Sequence, residues 1–311
     1  SVMSKTLWEK SGHWDKYQDN MFVTESEKRI YAIKPMNCPG HMLIYKTQTR
    51  SYRQFPLRFF ELGNVCRNEK SGALHGLLRV RNFTQDDAHI FCVPEQLEGE
   101  IASLLDFVFY ILGAFGFREY EIELSTRPAE SIGSVDMWEK ATDALRGALE
   151  KKGLKYEVAP GGGAFYGPKI DLRIKDALGR AWQCSTIQCD FALPEKFELE
   201  YVSTSGEKMR PVMLHRAILG SVERFLGTLV EHYAGAFPLW VAPVQAAMVP
   251  VTEAHGAYAA DLIRRMEAAG IRAVYLDPGE TLGKRVRQAN EEKIPYTLVV
   301  GDKEAGAGTV T

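Results

Sequence analysis

The chain has 311 residues, 45% hydrophobic and 25% charged, an ordinary globular composition and enough length for two domains. A net charge of −2 offers no general basic field for nucleic acid, so any RNA contact has to come from local patches. The five cysteines (Cys38, Cys66, Cys92, Cys184 and Cys189) are odd in number and widely spaced, which argues against a disulfide framework and for a reduced, cytoplasmic or organellar setting.

The start, "SVMSKTLWEK", has neither a basic nor an apolar leader pattern. Next comes "KPMNCPGH" (Lys34 to His41), with cysteine and histidine at C-x-x-H spacing between stiffening prolines, the look of a metal half-site. "CRNEKSGALHGLLR" reads as a strand end and a hairpin loop, with Arg67 and Arg79 flanking the turn where their planar forks could close on phosphate. Leu78 to Cys92 reads as a strand. Val80, Ala88, Ile90 and Cys92 fall on an apolar face, and Arg79, Arg81, Gln85, Asp87 and His89 on the other. Such a polar face is either simply solvated or the wall of a cleft for a charged, zwitterionic substrate.

Helices are expected over Leu97 to Phe115 and Val135 to Lys152. The apolar run Ile101 to Phe117 carries Asp106 and is too short for a membrane span. The second helix has Ser134 as N-cap, Met137, Ala141, Leu145 and Ala148 on one face, and Gly153 as its stop. "KIDLRIKD" and "RAWQCSTIQCDF" read as strands, giving an α+β domain on an antiparallel sheet. In the second strand, alternation places Cys184, Thr186 and Gln188 together, and Gln183 joins them only through a bulge or strand end.

"FPLWVAP" (Phe237 to Pro243) marks a boundary, giving domains 1–241 and 242–311. Beyond it, strand "QAAMVPV", helix Glu253 to Ala269, strand "IRAVYL", helix Leu282 to Lys293 and strand "YTLVVGD" alternate as a small α/β module with a largely parallel, mixed sheet. The tail "GDKEAGAGTVT" is expected to follow the last strand without a closing helix.

Taken together, "RNE…G…RVRNFTQDDAHIFC", "KPMNCPGH", "GAFYGPKID", "QCSTIQCDF" and "HRAILGSVERFLG" resemble the catalytic core of class II aminoacyl-tRNA synthetases, most closely the threonyl-specific family of class IIa. The resemblance implies ATP-dependent activation of threonine and its transfer to tRNA(Thr). It implies one zinc ion per chain on Cys38, His89 and His215, with His41 a supporting neighbour, and Mg²⁺ accompanying ATP. Three protein ligands leave zinc open to the substrate's amine and hydroxyl, and valine, which lacks the hydroxyl, would leave a coordination position unfilled.

By the same resemblance Asp87 receives the ammonium, with Tyr166, Gln85, Gln188 and Met36 around the amino acid. Arg67 meets the α-phosphate, Arg79 and Arg224 the outer phosphates, and Glu69 lies near the adenine. Lys169, Gln183 and Thr186 complete the ATP side. His13 matches a histidine implicated in the transfer step, and Gly220, one turn before Arg224, is expected to let the backbone approach the nucleotide. The C-terminal module resembles an anticodon-binding domain. From Val251 to Thr311 it has 8 Lys+Arg against 9 Asp+Glu, so RNA reading would rest on particular residues such as Arg287 and Glu304. A homodimer, cytoplasmic and not membrane-bound, is expected.

Three departures accompany the resemblance. The family's first signature motif is expected upstream of Ser1, the anticodon module stops short, and Ser185 stands where some relatives have glycine, which would narrow the pocket floor. Nothing in the chain resembles an editing domain. The rival readings are another class IIa synthetase (prolyl or seryl), a non-catalytic synthetase-like RNA-binding or regulatory protein, and a purely structural zinc.

Overall fold

In the computed structural model, which describes residues 1–176 and 178–311, period-two alternation shows along the long strand Leu57–Cys66, where more exposed and less exposed residues alternate. The chain divides into two compact units, Ser1–Leu229 and Val230–Thr311; the expected junction at 241/242 lies beyond that division, ahead of the first strand of the second unit.

The first unit opens with β1 (Val2–Ser4), β2 (Val23–Ser26) and β3 (Arg29–Ile33), an antiparallel sheet in the order β1-β3-β2. Helices α1 (Lys5–Ser11) and α2 (His13–Tyr17) lie beside it, with Trp8, Met21 and Ala32 forming a small apolar cluster. Helix α3 (Cys38–Tyr45) starts at Cys38 with Pro39 in its first turn, where a missing N–H costs nothing. β4 (Arg50–Ser51) is a short strand.

The central sheet uses β5 (Leu57–Cys66), β6 (Asn82–Cys92), β7 (Tyr120–Ser125), β8 (Glu157–Ala159), β9 (Lys169–Lys175) and β10 (Ala181–Asp190). β11 (Tyr201–Val202) and β12 (Lys208–Met209) join β4 in a separate small sheet, and β13 (Val212–Ala217) returns to the centre. The seven-stranded order is β5-β6-β13-β10-β9-β7-β8, antiparallel except for the β7–β8 pair.

Between β6 and β7 runs α4 (Leu97–Ala114), and between β7 and β8 runs α5 (Val135–Lys151); they pack on each other and on the sheet. α4 buries Leu97, Ile101, Leu104, Leu105, Val108 and Leu112 at helical spacing, each worth about 1.5–3 kcal/mol when fully buried. No helix among the described residues is long and apolar enough to cross a membrane. In α5, Ser134 caps by accepting from Met137 N, and Gly153 follows at φ 64°. Its buried face is anchored by Trp138 rather than Met137, with Ala141, Leu145 and Ala148. A short α6 (Ala192–Lys196) and α7 (Val222–Tyr233) follow β10 and β13.

Two expectations are corrected. Regular pairing in β6 begins at Asn82; Arg79 makes only an isolated bridge to His75, because Arg67 N and Arg81 O close the hairpin loop ahead of the strand. At the end of the chain, a helix does form. The second unit runs β14 (Ala246–Pro250), α8 (Gly256–Ala268), β15 (Ala273–Tyr275), α9 (Leu282–Glu291), β16 (Tyr296–Val300) and α10 (Asp302–Ala307). Glu304 starts α10 by accepting from Gly301 N, a capping contact that overrides the poor helix propensity of the glycines. The sheet order is β15-β14-β16, and both pairings are parallel. β14 is buried on both faces, Ala247 and Val249 clustering with Ala289, and Met248 with Ala259, as a central parallel strand requires.

Candidate active site and metal centre

A cleft of about 810 Å³ lies in the first unit, and cross-strand register explains its chemistry. Residues paired across adjacent strands share one face, so one row across β9, β10, β13, β6 and β5 reads Lys169, Gln188, His215, His89 and Phe59. The next row reads Asp171, Thr186, Ala217, Asp87 and Glu61. Gln85, Asp87 and His89 therefore present one polar wall, and Thr186 and Gln188 extend it from β10. The register of β10 on β9 shifts between Gln183 and Ser185. That irregularity turns Gln183 into the cleft beside Thr186.

Cys38, at the start of α3, meets this wall. Cys38, His89 and His215 are all buried, and one donor atom from each lies within 4.8 Å of the others. Two imidazoles and a thiol suit zinc by ligand type. Burial holds the Cys38 thiol well above its usual range, with Asp87 and Asp190 adding to the effect, so a thiolate there needs a compensating cation. Burial also holds His89 well below the usual histidine range, with His215 and His41 adding to it, leaving the neutral imidazole that ligates metal. The donor set fits a bound zinc.

Behind the donors the polar groups are chained. His89 Nε2 and His215 Nδ1 lie 3.0 Å apart, His215 Nε2 lies 2.9 Å from Asp190 Oδ2, and His89 Nδ1 lies 2.7 Å from His41 Nδ1. Beside them, burial raises Asp87 to about 6, partly offset by Asn37, whose Nδ2 donates to Asp87 Oδ2 at 2.9 Å. Gly63 makes room for this contact: a Cβ there would fall within 2.6 Å of the Asn37 side chain. Tyr166 donates to Gln188 Oε1 at 2.9 Å.

At the other end of the cleft the arginines gather. Arg67 lies over the Phe83 and Tyr17 rings, with Nε donating to Pro35 O. Arg79 donates to Glu69 Oε2 at 2.8 and 3.1 Å. Arg224 donates to the carbonyls of Leu78 and Gln183, and burial lowers it from the usual arginine range. Asp171 sits beneath, 2% exposed, accepting from Gln183 Nε2 and Thr186 Oγ1 at 2.7 Å each and paired with Lys169 at 2.6 Å.

The cleft thus brings together Met36, Cys38, Arg67, Glu69, Arg79, Gln85, Asp87, His89, Tyr166, Gln183, Thr186, Gln188, His215 and Arg224. Lys169 and His13 do not line it. Lys169 is turned to Asp171. His13 is fully buried, Nε2 2.9 Å from Met36 Sδ and Nδ1 2.7 Å from Ser11 Oγ, and burial lowers it to about 3.

Ser185 is corrected: it is buried and donates to Ile218 O at 2.6 Å, so it ties β10 to the segment after β13 instead of narrowing the floor. Gly220, at φ 72°, lets the backbone pass close to Cys184 O, which a Cβ would approach to 2.6 Å, and it also borders the cleft. Arg287 is exposed on α9 and Glu304 partly buried on α10, both in the second unit. The sequence reading missed Asn37, Asp171 and Asp190. Strand parity pointed to two of them, Asp190 through Gln188 and Asp171 through Lys169, and not to Asn37.

The tRNA synthetase class II core domain (G, H, P, S and T) matches residues 22–233, and the anticodon binding domain matches residues 245–311. The chain is 57% identical over 310 residues to a threonine–tRNA ligase of Pelobacter propionicus, covering 100% of this chain and 49% of that protein. To that of Solidesulfovibrio magneticus it is 59% identical over 307 residues, covering 99% and 47%. It spans about half the length of the curated relatives it matches. A crystal structure of the RNA binding domain of threonyl-tRNA synthetase from Cryptosporidium parvum superposes with a TM-score of 0.96 at 44% identity, covering 100% of this chain and 78% of that one. With its core and anticodon-binding segments both matched in order, the chain belongs to the threonyl-tRNA synthetase family of class II enzymes.

Proposed function

We propose that the chain activates L-threonine with ATP to threonyl-adenylate and transfers threonine to the 3′ end of tRNA(Thr), in the cytoplasm and as a homodimer. The observation that carries this reading is the convergence in one cleft of the Cys38, His89 and His215 donors, the part-buried Asp87 and three arginines. Phe60 and Leu62, exposed on edge strand β5, support a partner subunit.

Asp87 receives the substrate ammonium. With its carboxyl at about 6 it is largely ionised at neutral pH, and a bound ammonium lowers it further. Zinc on Cys38, His89 and His215 would offer coordination positions that threonine's amine and hydroxyl fill and valine's methyl does not. Gln85, Gln188, Tyr166 and Met36 border the same pocket.

A carboxylate oxygen of threonine attacks the α-phosphorus of ATP, and the bond to pyrophosphate breaks. Arg67 faces the α-phosphate and the carboxylate. Arg79 exchanges Glu69 for the outer phosphates, alongside Arg224 and the Mg²⁺ that ATP brings, so cationic groups meet the charge that develops on pyrophosphate. Glu69 then lies near the adenine, with Gln183 and Thr186 held toward the nucleotide by Asp171 and Lys169. In the transfer step the terminal ribose hydroxyl attacks the adenylate carbonyl and AMP leaves. A proton-relay role for His13 requires Met36 to swing aside, since His13 lies behind it. Arg287 and Glu304 are proposed to read anticodon bases.

The test is amino-acid-dependent ATP–pyrophosphate exchange with threonine, serine, valine and proline. Exchange fastest with threonine, weaker with serine and absent with valine and proline is the expected result. Exchange with none of the four, despite a folded protein, would favour a non-catalytic RNA-binding role.

A further inference from the structure

The two histidines of the donor set are held in different ways on their far sides. His215 Nε2 faces Asp190 Oδ2, and Asp190, whose side chain is 0% exposed, also accepts from Ala192 N and Leu193 N. An ionised carboxylate only accepts, so the His215 proton sits on Nε2 and its Nδ1 offers a lone pair to the donor cluster. Among the described residues no carboxylate faces the far nitrogen of His89. Its Nδ1 lies 2.7 Å from His41 Nδ1, and His41 Nε2 lies 3.4 Å from Glu61 Oε1, whose other oxygen lies 3.4 Å from Lys34 Nζ.

Two imidazole nitrogens at that separation share one proton. Were it on His41, the neutral His89 would carry its own proton on Nε2, pointed at His215, and would have no lone pair for a metal. With the proton on His89 Nδ1, His41 accepts, Nε2 of His89 is bare, and the remaining proton of His41 lies on Nε2 facing Glu61. Only this second arrangement leaves lone pairs on both histidines facing Cys38.

We infer that His41, oriented by Glu61, is a positioning residue that holds His89 in its metal-binding tautomer. The inference rests on the metal reading above. It also gives a physical role to the C-x-x-H spacing of α3. Residues three apart share a helix face, so a single turn carries one ligand, Cys38, and the orienting partner of another. Outer partners of this kind typically change metal affinity by about 10–100-fold when removed.

The experiment measures zinc affinity by chelator competition, and Co²⁺ absorption bands, for the wild-type chain, His41→Phe, His41→Asn and Glu61→Gln. Phenylalanine keeps the ring volume and removes the acceptor; asparagine's Oδ1 restores an acceptor near the Nδ1 position. Zinc affinity is expected to fall about 10–100-fold in His41→Phe with shifted Co²⁺ bands, to recover largely in His41→Asn, and to fall only a few-fold in Glu61→Gln. Wild-type affinity and unchanged bands in His41→Phe would overturn the inference. So would equal weakening in the phenylalanine and asparagine variants, which marks a packing role. If His41→Phe does not fold, Glu61→Gln decides, and wild-type behaviour there overturns the inference. A wild-type chain that takes up no zinc would overturn the metal reading itself, which the other outcomes leave standing.

Discussion

In the first unit, Asp86, Asp171, Asp190, His41, His89 and His215 are all buried, whereas the second unit buries only His255 and Arg285 of its polar and charged side chains among the described residues. His41, His89, His215 and Asp190 form one chain beside the cleft, Asp171 meets Lys169, Gln183 and Thr186, and Asp86 accepts from Ile218 N and Leu219 N. Arg285 instead donates to carbonyls of Glu280, Pro250, Leu276 and Val251, and so braces the ends of β14 and β15. Burying charge costs several kcal/mol per ion unless it is paired, so a cluster of buried charges beside a cleft indicates chemistry, while one buried arginine on carbonyls indicates scaffolding. Exposed Arg287 and partly buried Glu304, which caps α10, carry no comparable signature, which is why both rest on the resemblance alone.

The comparison can be broken by substitution. The largest expected effect is from Cys38→Ala: loss of bound zinc and a fall in threonine-dependent exchange beyond the ~10–100-fold typical of an outer-shell change, with tRNA binding retained in a filter assay. Next, Arg285→Leu is expected to lower the unfolding free energy of the second unit by about 2–4 kcal/mol, seen as an earlier denaturant transition, with exchange unchanged. If exchange fell as far as stability, the division of labour between the units would be wrong. Arg287→Ala should leave exchange intact and weaken tRNA binding by about 1–3 kcal/mol, read in aminoacylation.

The smallest effect is on pH dependence. His13 titrates at about 3 when folded against 6.5 when unfolded, so the unfolded chain binds more protons between those values. Its contribution to stability is complete above pH 6.5 and is lost as pH falls toward 3, on the order of 1 kcal/mol by pH 5.5. His13→Gln should flatten that part of the acid slope in denaturant titrations at pH 7 and 5.5; an unchanged slope would show that His13 is not buried neutral in solution.

Much of the site was legible because strand parity is local: Gln85, Asp87 and His89 fall on one face of β6 as alternation requires. Parity failed at Arg79 and Arg81, where a loop closure ends the regular pairing, and it placed Gln183 only on condition of a bulge, which the register shift supplies. α10 was missed because Gly306 and Gly308 masked a helix whose start is set by the Glu304 contact to Gly301. The Asp171 bonds to Gln183 and Thr186 and the His41–His89 contact run between separate elements, and local spacing does not encode which buried partners meet across them. The family resemblance supplied the three donors; the tertiary structure supplied what orients them.

The most direct measurement is a zinc titration of metal-stripped protein followed by threonine-dependent ATP–pyrophosphate exchange. Exchange is expected to be near zero without metal, to rise in proportion to zinc and to level off at one equivalent per chain, with valine inactive throughout. Full exchange by the stripped protein, or by Cys38→Ala without bound metal, would contradict a metal-dependent threonine site.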